Sequence, residues 1–245
     1  MNVALIGYGN MGKEIERLAS SRNATIVARV NSQSSTVTDD MLKQVDVAIH
    51  FATPSTVLKH VEEWARKKKN LVVGTTGWNN DLEQVRTIVE QTNIGLVHAS
   101  NFSLGVNVFK NILKYAGAAF NKFPEYNVSL DETHHADKID SPSGTALTLA
   151  NVLLGSVTRK KEIVTTPPER NVAPNQLQVA SKRLGSVIGV HRIVFESEAD
   201  QIELIHTAKN RSGFALGALL AAEWILGKKG MFTMDDVLGD FFERR

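Results

Sequence analysis

Short apolar runs in the first hundred residues alternate with segments whose apolar positions recur at helical spacing. Val3-Ala4-Leu5-Ile6 precedes Met11, Ile15, Leu18 and Ala19, which predicts a buried strand and then an amphipathic helix. Thr25–Val30 reads as the next strand. Residues 45–51 feed a helix with the stripe Val57, Leu58, Val61, Trp64 and Ala65, and Leu71-Val72-Val73 feeds another through Leu82, Val85, Ile88 and Val89. Ile94-Gly95-Leu96-Val97 closes the series. Buried strands alternating with helices imply an α/β, Rossmann-like, doubly wound parallel sheet whose ligands lie at the carboxyl ends of its strands.

After Phe102 the rhythm changes. Leu104-Gly105-Val106-Asn107-Val108 begins a helix through Ile112, Leu113 and Ala116, and Tyr126-Asn127-Val128-Ser129-Leu130 alternates as a strand buried on one face. Pro167, Pro168 and Pro174 predict a loop over residues 165–175. Residues 187–195 and 202–207 read as two strands joined around Glu198-Ala199-Asp200-Gln201, with no helix between them, so their sheet is expected to be mixed or antiparallel. The expected division is a dinucleotide-binding domain of residues 1–103 and 211–245, to which the helix of residues 215–226 returns, and a smaller α+β domain of residues 104–210 for substrate binding and oligomerisation. An open sheet there needs cover, which identical subunits would supply.

Composition narrows the function classes. At 245 residues, 42% hydrophobic and 22% charged, the chain has ordinary globular proportions. A formal charge of +2 without a basic run interleaved with aromatics argues against nucleic acid. Arg66-Lys67-Lys68-Lys69 fits the solvated last turn of a helix. The absence of cysteine excludes disulfides and thiolate chemistry and agrees with a reducing, cytoplasmic setting. Val3-Ala4-Leu5-Ile6 is too short for a signal peptide, and the apolar residues 214–226 are interrupted by Glu223, so no membrane association is expected.

Candidate chemistry sits at two junctions. Gly7-Tyr8-Gly9-Asn10-Met11-Gly12 lies directly after a strand and opens a helix, the context in which a G-x-G-x-x-G pattern cradles a pyrophosphate. The alternative is a tight turn of any α/β protein. After the second strand, where an acidic residue would hold the adenosine ribose of NAD, stand Asn31-Ser32-Gln33-Ser34-Ser35, with Lys13 and Arg29 within reach. That leaves cofactor choice open, tilted toward NADPH or dual use. Phe51-Ala52-Thr53-Pro54, Gly74-Thr75-Thr76-Gly77 and Ala99-Ser100-Asn101-Phe102-Ser103 are carboxyl-end loops that converge on the same edge.

The second junction is the densest. Glu132-Thr133-His134-His135-Ala136-Asp137-Lys138-Ile139-Asp140-Ser141-Pro142-Ser143-Gly144-Thr145-Ala146 runs from a strand into the helical pattern of Leu147, Leu149, Val152 and Leu153. Ser143-Gly144-Thr145 is a helix start that lets a carboxylate approach. His134 and Lys138 can exchange protons with a bound molecule, and His135 can donate a hydrogen bond. Alone, the His pair reads more simply as a surface patch; with the anion site attached, function is the better reading.

This stretch resembles the signature H-H-x-x-K-x-D-[AS]-P-S-G-T-A of the dihydrodipicolinate reductase (4-hydroxy-tetrahydrodipicolinate reductase) family. The carboxyl-end loops are similar to that family's F-[TA]-x-P, G-T-T-G and N-[FY]-S-x-G-V-N blocks, whereas Arg183-Leu184-Gly185-Ser186 departs from R-G-G-x. The resemblance implies NAD(P)H-dependent reduction of a cyclic dicarboxylate in diaminopimelate and lysine biosynthesis, by a homotetramer. His134 is then the general acid and Lys138 a second donor and electrostatic stabiliser, with His135, Ser143, Gly144 and Thr145 on a substrate carboxylate. Cofactor contacts are implied at Gly7, Gly9, Asn10, Met11, Gly12, Lys13, Asn31, Phe51, Gly74, Thr75, Thr76, Ala99, Ser100, Asn101, Phe102, Arg211 and Phe214. No metal is expected, because adjacent histidines rarely face one ion and no third ligand is evident at metal spacing. The competing readings are another NAD(P)-dependent dehydrogenase of this architecture, a noncatalytic NAD(P)H sensor and, remotely, a zinc hydrolase.

Overall fold

Strands buried on both faces leave backbone groups that only neighbouring strands can satisfy, so the apolar runs of the first half pair with one another. The computed structural model describes residues 1–31, 37–165 and 172–243. Its elements begin with β1 (Asn2–Ile6), α1 (Asn10–Ala19), β2 (Thr25–Val30), α2 (Asp39–Gln44), β3 (Val47–His50), α3 (Val57–Arg66), β4 (Asn70–Val73), α4 (Leu82–Thr92) and β5 (Gly95–His98). They continue with α5 (Leu104–Phe120), β6 (Asn127–His134), α6 (Gly144–Ser156), β7 (Glu162–Val164), β8 (Gln176–Arg183), β9 (Gly189–Glu196), β10 (Gln201–Ala208), α7 (Ser212–Trp224), β11 (Gly230–Phe232) and α8 (Met234–Glu243). The chain divides into two compact units, Met1–Asn107 with Arg211–Arg245, and Val108–Asn210.

The first unit carries a six-stranded sheet of order β11-β5-β4-β3-β1-β2, with every pairing parallel. The chain leaves β1 for β2 on one side and then crosses back to β3 on the other, so the switch point that opens a crevice lies between β1 and β3. Val57, Val61, Trp64 and Ala65 of α3 and Val85 and Val89 of α4 bury against Ala4, Ala48 and Leu71 of the strands. Helix α7 contacts α1, β3 and β4, which places it in this unit.

The second unit is built on a mixed sheet of order β10-β9-β6-β8-β7. β9 pairs antiparallel with β10 and β6, while β6, β8 and β7 run parallel. A parallel neighbour requires a crossover, and α6 supplies it between β6 and β8. Phe109 and Leu113 of α5 and Ala146, Leu149, Ala150 and Leu153 of α6 pack on Val128, Leu130, Leu177, Val179, Ile193 and Phe195. β10 forms one edge of this sheet and exposes Ile202 and Ile205.

Two departures from the sequence expectations bear on the site. β6 runs on to His134, so the first residues of the polar stretch are strand. β8, absent from the expected elements, alternates inward Leu177 and Val179 with polar neighbours and ends on Arg183. Of the proline-containing loop, residues 166–171, with Pro167 and Pro168, lie outside the described residues, and Pro174 stands in the turn before β8. Among the described residues, no helix is long and apolar enough to cross a membrane.

Candidate active site

One face of the second unit's sheet changes from apolar to polar at a single level. Side chains alternate along a strand, so Val128, Leu130, Glu132 and His134 of β6 share the core-facing side. On β8 the same side carries Leu177 and Val179 and then Ser181 and Arg183; on β9 it carries Phe195 and Ile193 and then His191 and Gly189. Strand register sets Glu132 beside Ser181 and His191, and His134 beside Arg183. The hydrophobic core therefore ends in a buried cluster of one carboxylate, one guanidinium and two imidazoles.

The polar contacts of this cluster converge on Glu132. Glu132, 1% exposed, receives the Ser143 N–H at 2.9 Å and Arg183 at 3.1 Å, both on Oε1. Its Oε2 lies 2.6 Å from Nδ1 of His134, and neither of these two atoms has another hydrogen-bond partner among the described residues. Burial pushes the Glu132 carboxyl up, but the polar groups of Ser143, Ser181 and Arg183 outweigh it and bring it down to about 2. His134 meets His191 edge to face, with ring centroids 5.3 Å apart. Burial lowers the His134 pKa, as do Lys138 and Arg183, against the raising effect of Glu132. Burial, reinforced by His134, takes His191 down to about 4.

Arg183 also sews the following loop to the sheet, donating to the Lys138 carbonyl at 3.2 Å and the Asp140 carbonyl at 2.5 Å. Backbone bonds from Leu184 to His134 and from Ala136 to Gly185 close the same junction. The Leu184 that replaces the family's glycine is half exposed, so the departure leaves these bonds intact.

Helix α6 begins immediately beyond the loop. Ser143 is its N-cap, with Oγ accepting the Ala146 N–H at 3.1 Å. Both the hydroxyl and the N–H of Ser143 are thus engaged inside the protein, whereas Gly144 is exposed and Thr145 half-buried in the first turn. A Cβ on Gly144 would meet nothing within 4 Å, so a carboxylate can approach the helix end there. His135 is half-buried beside it in sequence, and Lys138 reaches Asp140 at 2.6 Å. The two candidate proton carriers are therefore not free groups: His134 is buried against Glu132, and Lys138 is paired with Asp140.

The metal question takes a different form from the sequence expectation. Ligand atoms of Glu132, His134 and His191 lie within 4.8 Å of one another, so the partners of His134 come from its own strand and from β9, not from His135. Arg183 on the same carboxylate, with Lys138 nearby, sets like charge against a cation there.

The first unit presents a second candidate site. Gly7 has φ +94°, and a Cβ there would fall 2.0 Å from the Phe51 carbonyl oxygen, so the loops after β1 and β3 meet at the switch point. Gly9 caps α1 with no side-chain bond and open space around it, leaving the first N–H groups of that helix for an anion. A pyrophosphate fits this start, which also bears Asn10, Met11, Gly12 and the exposed Lys13. Gly74, Thr76, Ala99, Ser100 and Asn101 follow the ends of β4 and β5. Thr75 and Phe102 are buried, so their side chains shape the loops from behind: Phe102 meets Phe51 edge-on at 6.0 Å. Arg211 is the exposed N-cap of α7 and Phe214 is half-buried in its first turn.

Asn31 follows β2 directly, and residues 32–36 lie outside the described residues. Arg29 is held by Glu16, with its Nε 3.1 Å from the carboxylate, and lies 5.6 Å from the Tyr8 ring. By sequence position this arginine is a candidate for a 2′-phosphate; in the fold it is already paired.

Glu132, Arg183 and His191 surround His134 and are not among the site residues expected from the sequence. Glu132 was legible as the residue two before His134 on one strand face; the other two needed the register of β8 and β9.

Two family models match the chain in succession, the second running through residues 211–238 of the first unit. Residues 1–102 match the family described as dihydrodipicolinate reductase, N-terminus, and residues 105–238 match dihydrodipicolinate reductase, C-terminus. A 4-hydroxy-tetrahydrodipicolinate reductase of Christiangramia forsetii is 39% identical over 245 residues, covering 99% of this chain and 100% of the relative. One from Neisseria meningitidis serogroup C is 37% identical over 206 residues, covering 82% of this chain and 75% of its own. In fold, a dipicolinate-bound dihydrodipicolinate reductase from Paenisporosarcina sp. TG-14 superposes with a TM-score of 0.75 at 24% identity, covering 95% of this chain and 97% of that one. With family matches across both halves and a full-length relative at this identity, the chain belongs to the dihydrodipicolinate reductase family.

Proposed function

We propose that this protein reduces 4-hydroxy-tetrahydrodipicolinate to tetrahydrodipicolinate with NAD(P)H, in diaminopimelate and lysine biosynthesis. The observation that carries the reading is the buried Glu132–His134 pair set at a strand end directly before the open N-terminus of α6. Loss of water from the substrate leaves an unsaturated ring that takes up one hydride and one proton. When bound, the reduced nicotinamide supplies the hydride. Gly144 and Thr145 hold a ring carboxylate at the helix start, His135 donates to it, and Lys138 exchanges Asp140 for substrate charge. His134 delivers the proton to the electron-rich enamine that hydride addition creates. Two substrate carboxylates entering the cluster favour the imidazolium that burial disfavours, so binding itself charges the donor.

Both cofactors are expected to serve. No carboxylate follows Val30 to repel a 2′-phosphate, and Arg29 must leave Glu16 to attract one. The same reading makes the protein a homo-oligomer, a tetramer by family resemblance, with the exposed isoleucines of β10 covered. It also places the enzyme in the cytoplasm. The test is NADH and NADPH consumption with and without substrate generated enzymatically from pyruvate and aspartate semialdehyde. Substrate-dependent consumption of either supports the reading; none, or the same rate without substrate, overturns it. Light scattering gives the subunit number.

A further inference from the structure

A buried carboxylate 2.6 Å from the proposed proton donor calls for an explanation. An ionised Glu inside a core is costly unless its oxygens are paired, and here the pairing is asymmetric. Ser143 N–H and Arg183 both act on Oε1, at 2.9 and 3.1 Å, while Oε2 lies 2.6 Å from Nδ1 of His134. A carboxylate clamped at one oxygen cannot turn the other away. The clamp is tertiary: Ser143 caps α6, Arg183 ends β8, and Glu132 and His134 are alternate residues of β6.

From this geometry we propose that Glu132, locked by Arg183 and the Ser143 N–H, is a positioning residue that fixes the His134 tautomer and supports its imidazolium, so that Nε2 delivers the proton. The inference rests on the reading of His134 as general acid. An ionised carboxylate only accepts hydrogen bonds, so the neutral ring opposite it carries its proton on Nδ1 and leaves Nε2 bare. The proton gained on charging is then the one on Nε2, and that is the one given up. Gly189 keeps the approach to this atom clear: a Cβ there would stand 3.0 Å from Nε2.

The charges around His134 leave Glu132 without a substitute. Lys138 from the loop and Arg183 from β8 both oppose the imidazolium, as does burial. His191 from β9, with His206 behind it on β10, is itself lowered by burial and offers no negative charge. Before substrate binds, Glu132 alone among the described residues around His134 favours the protonated donor. A purely structural account, in which Glu132 merely ties β6 to α6 through Ser143, uses Oε1 and leaves the placement of Oε2 unexplained.

The decisive measurement is nitrogen NMR of the His134 ring in the ligand-free parent protein, together with Glu132→Gln. The parent is expected to show the neutral ring protonated at Nδ1. Glu132→Gln is expected to move His134 titration to lower pH and to lower kcat by about 10²–10⁴-fold with the substrate KM within a fewfold of the parent. Because a general acid fails as pH rises through its pKa, the falling limb of the kcat profile should move to lower pH in this variant. Glu132→Asp keeps the charge and should shift the limb less. A parent ring protonated at Nε2 overturns the proposal even if no variant folds, and so does a Glu132→Gln enzyme with an unmoved titration and limb. Absence of substrate-dependent NAD(P)H consumption in the parent is a separate outcome, which removes the functional reading while the tautomer and titration still decide the role of Glu132.

Discussion

Nδ1 of His50 stands 2.8 Å from the hydroxyl of Thr75, and that hydroxyl accepts the Ala52 N–H at 3.0 Å. The loops after β3 and β4 are thereby joined beneath the surface where the cofactor is proposed to lie. His50 is fully buried, and its Nε2 meets Nδ1 of His60 on α3 at 3.0 Å. Replacing His50 with Phe removes the bond and leaves the Thr75 hydroxyl under-paired. A buried hydrogen bond contributes about 0.5–1.5 kcal/mol net, so the KM for NAD(P)H should rise roughly 2- to 13-fold with kcat changed less. Steady-state kinetics on the variant check this; an unchanged cofactor KM would show that the loops hold without the tie.

Acid should destabilise the protein before its carboxylates titrate. Burial brings His50 and His191 down to about 4 in the folded chain, against about 6.5 when unfolded. The unfolded chain therefore binds protons that the folded one refuses, and the stability these neutral rings contribute is present above pH 6.5 and lost as pH falls toward 4. Each ring accounts for on the order of 2–3 kcal/mol across that window. Denaturant unfolding at pH 7.5 and pH 5 measures the loss, which should be smaller in His50→Asn.

His134→Ala and Lys138→Ala should each lower turnover by about 10²–10⁴-fold and leave cofactor affinity nearly unchanged. Lys138→Ala should also raise the substrate KM, since its charge attracts a dicarboxylate in the ground state as well as the transition state. His135→Ala should act mainly through KM. Near-parental turnover in the double variant of His134 and Lys138, or loss of NAD(P)H binding in either single one, would count against these assignments.

Cofactor choice should respond to the Arg29–Glu16 pair. With Glu16→Gln the guanidinium is released toward the ribose, and exposed ion pairs of this kind amount to roughly 0.2–1 kcal/mol, so NADPH affinity should improve by up to about fivefold relative to NADH. Asn31→Asp should do the reverse by repelling the 2′-phosphate. Fluorescence titration with each cofactor reads both shifts, and equal responses of NADH and NADPH would place these residues away from the ribose.

The sequence by itself determined the parts that depend on local spacing. A short apolar run, a glycine turn and an i, i+3, i+4 stripe encode a strand-turn-helix wherever the chain goes, so the parallel sheet, the anion-ready start of α1 and the His134-to-Thr145 stretch were all legible. β8 was not, because its only apolar cues are Leu177 and Val179 among polar residues, and half a strand face carries little pattern. Two neighbours of His134, the proposed proton donor, were decided by tertiary structure alone. Arg183 and His191 lie 49 and 57 residues beyond His134, and only the register of β6 with β8 and β9 brings them to the same level. Periodicity says which face a side chain takes; it does not say which distant strand lies beside it, because that choice is made by the whole core as it packs.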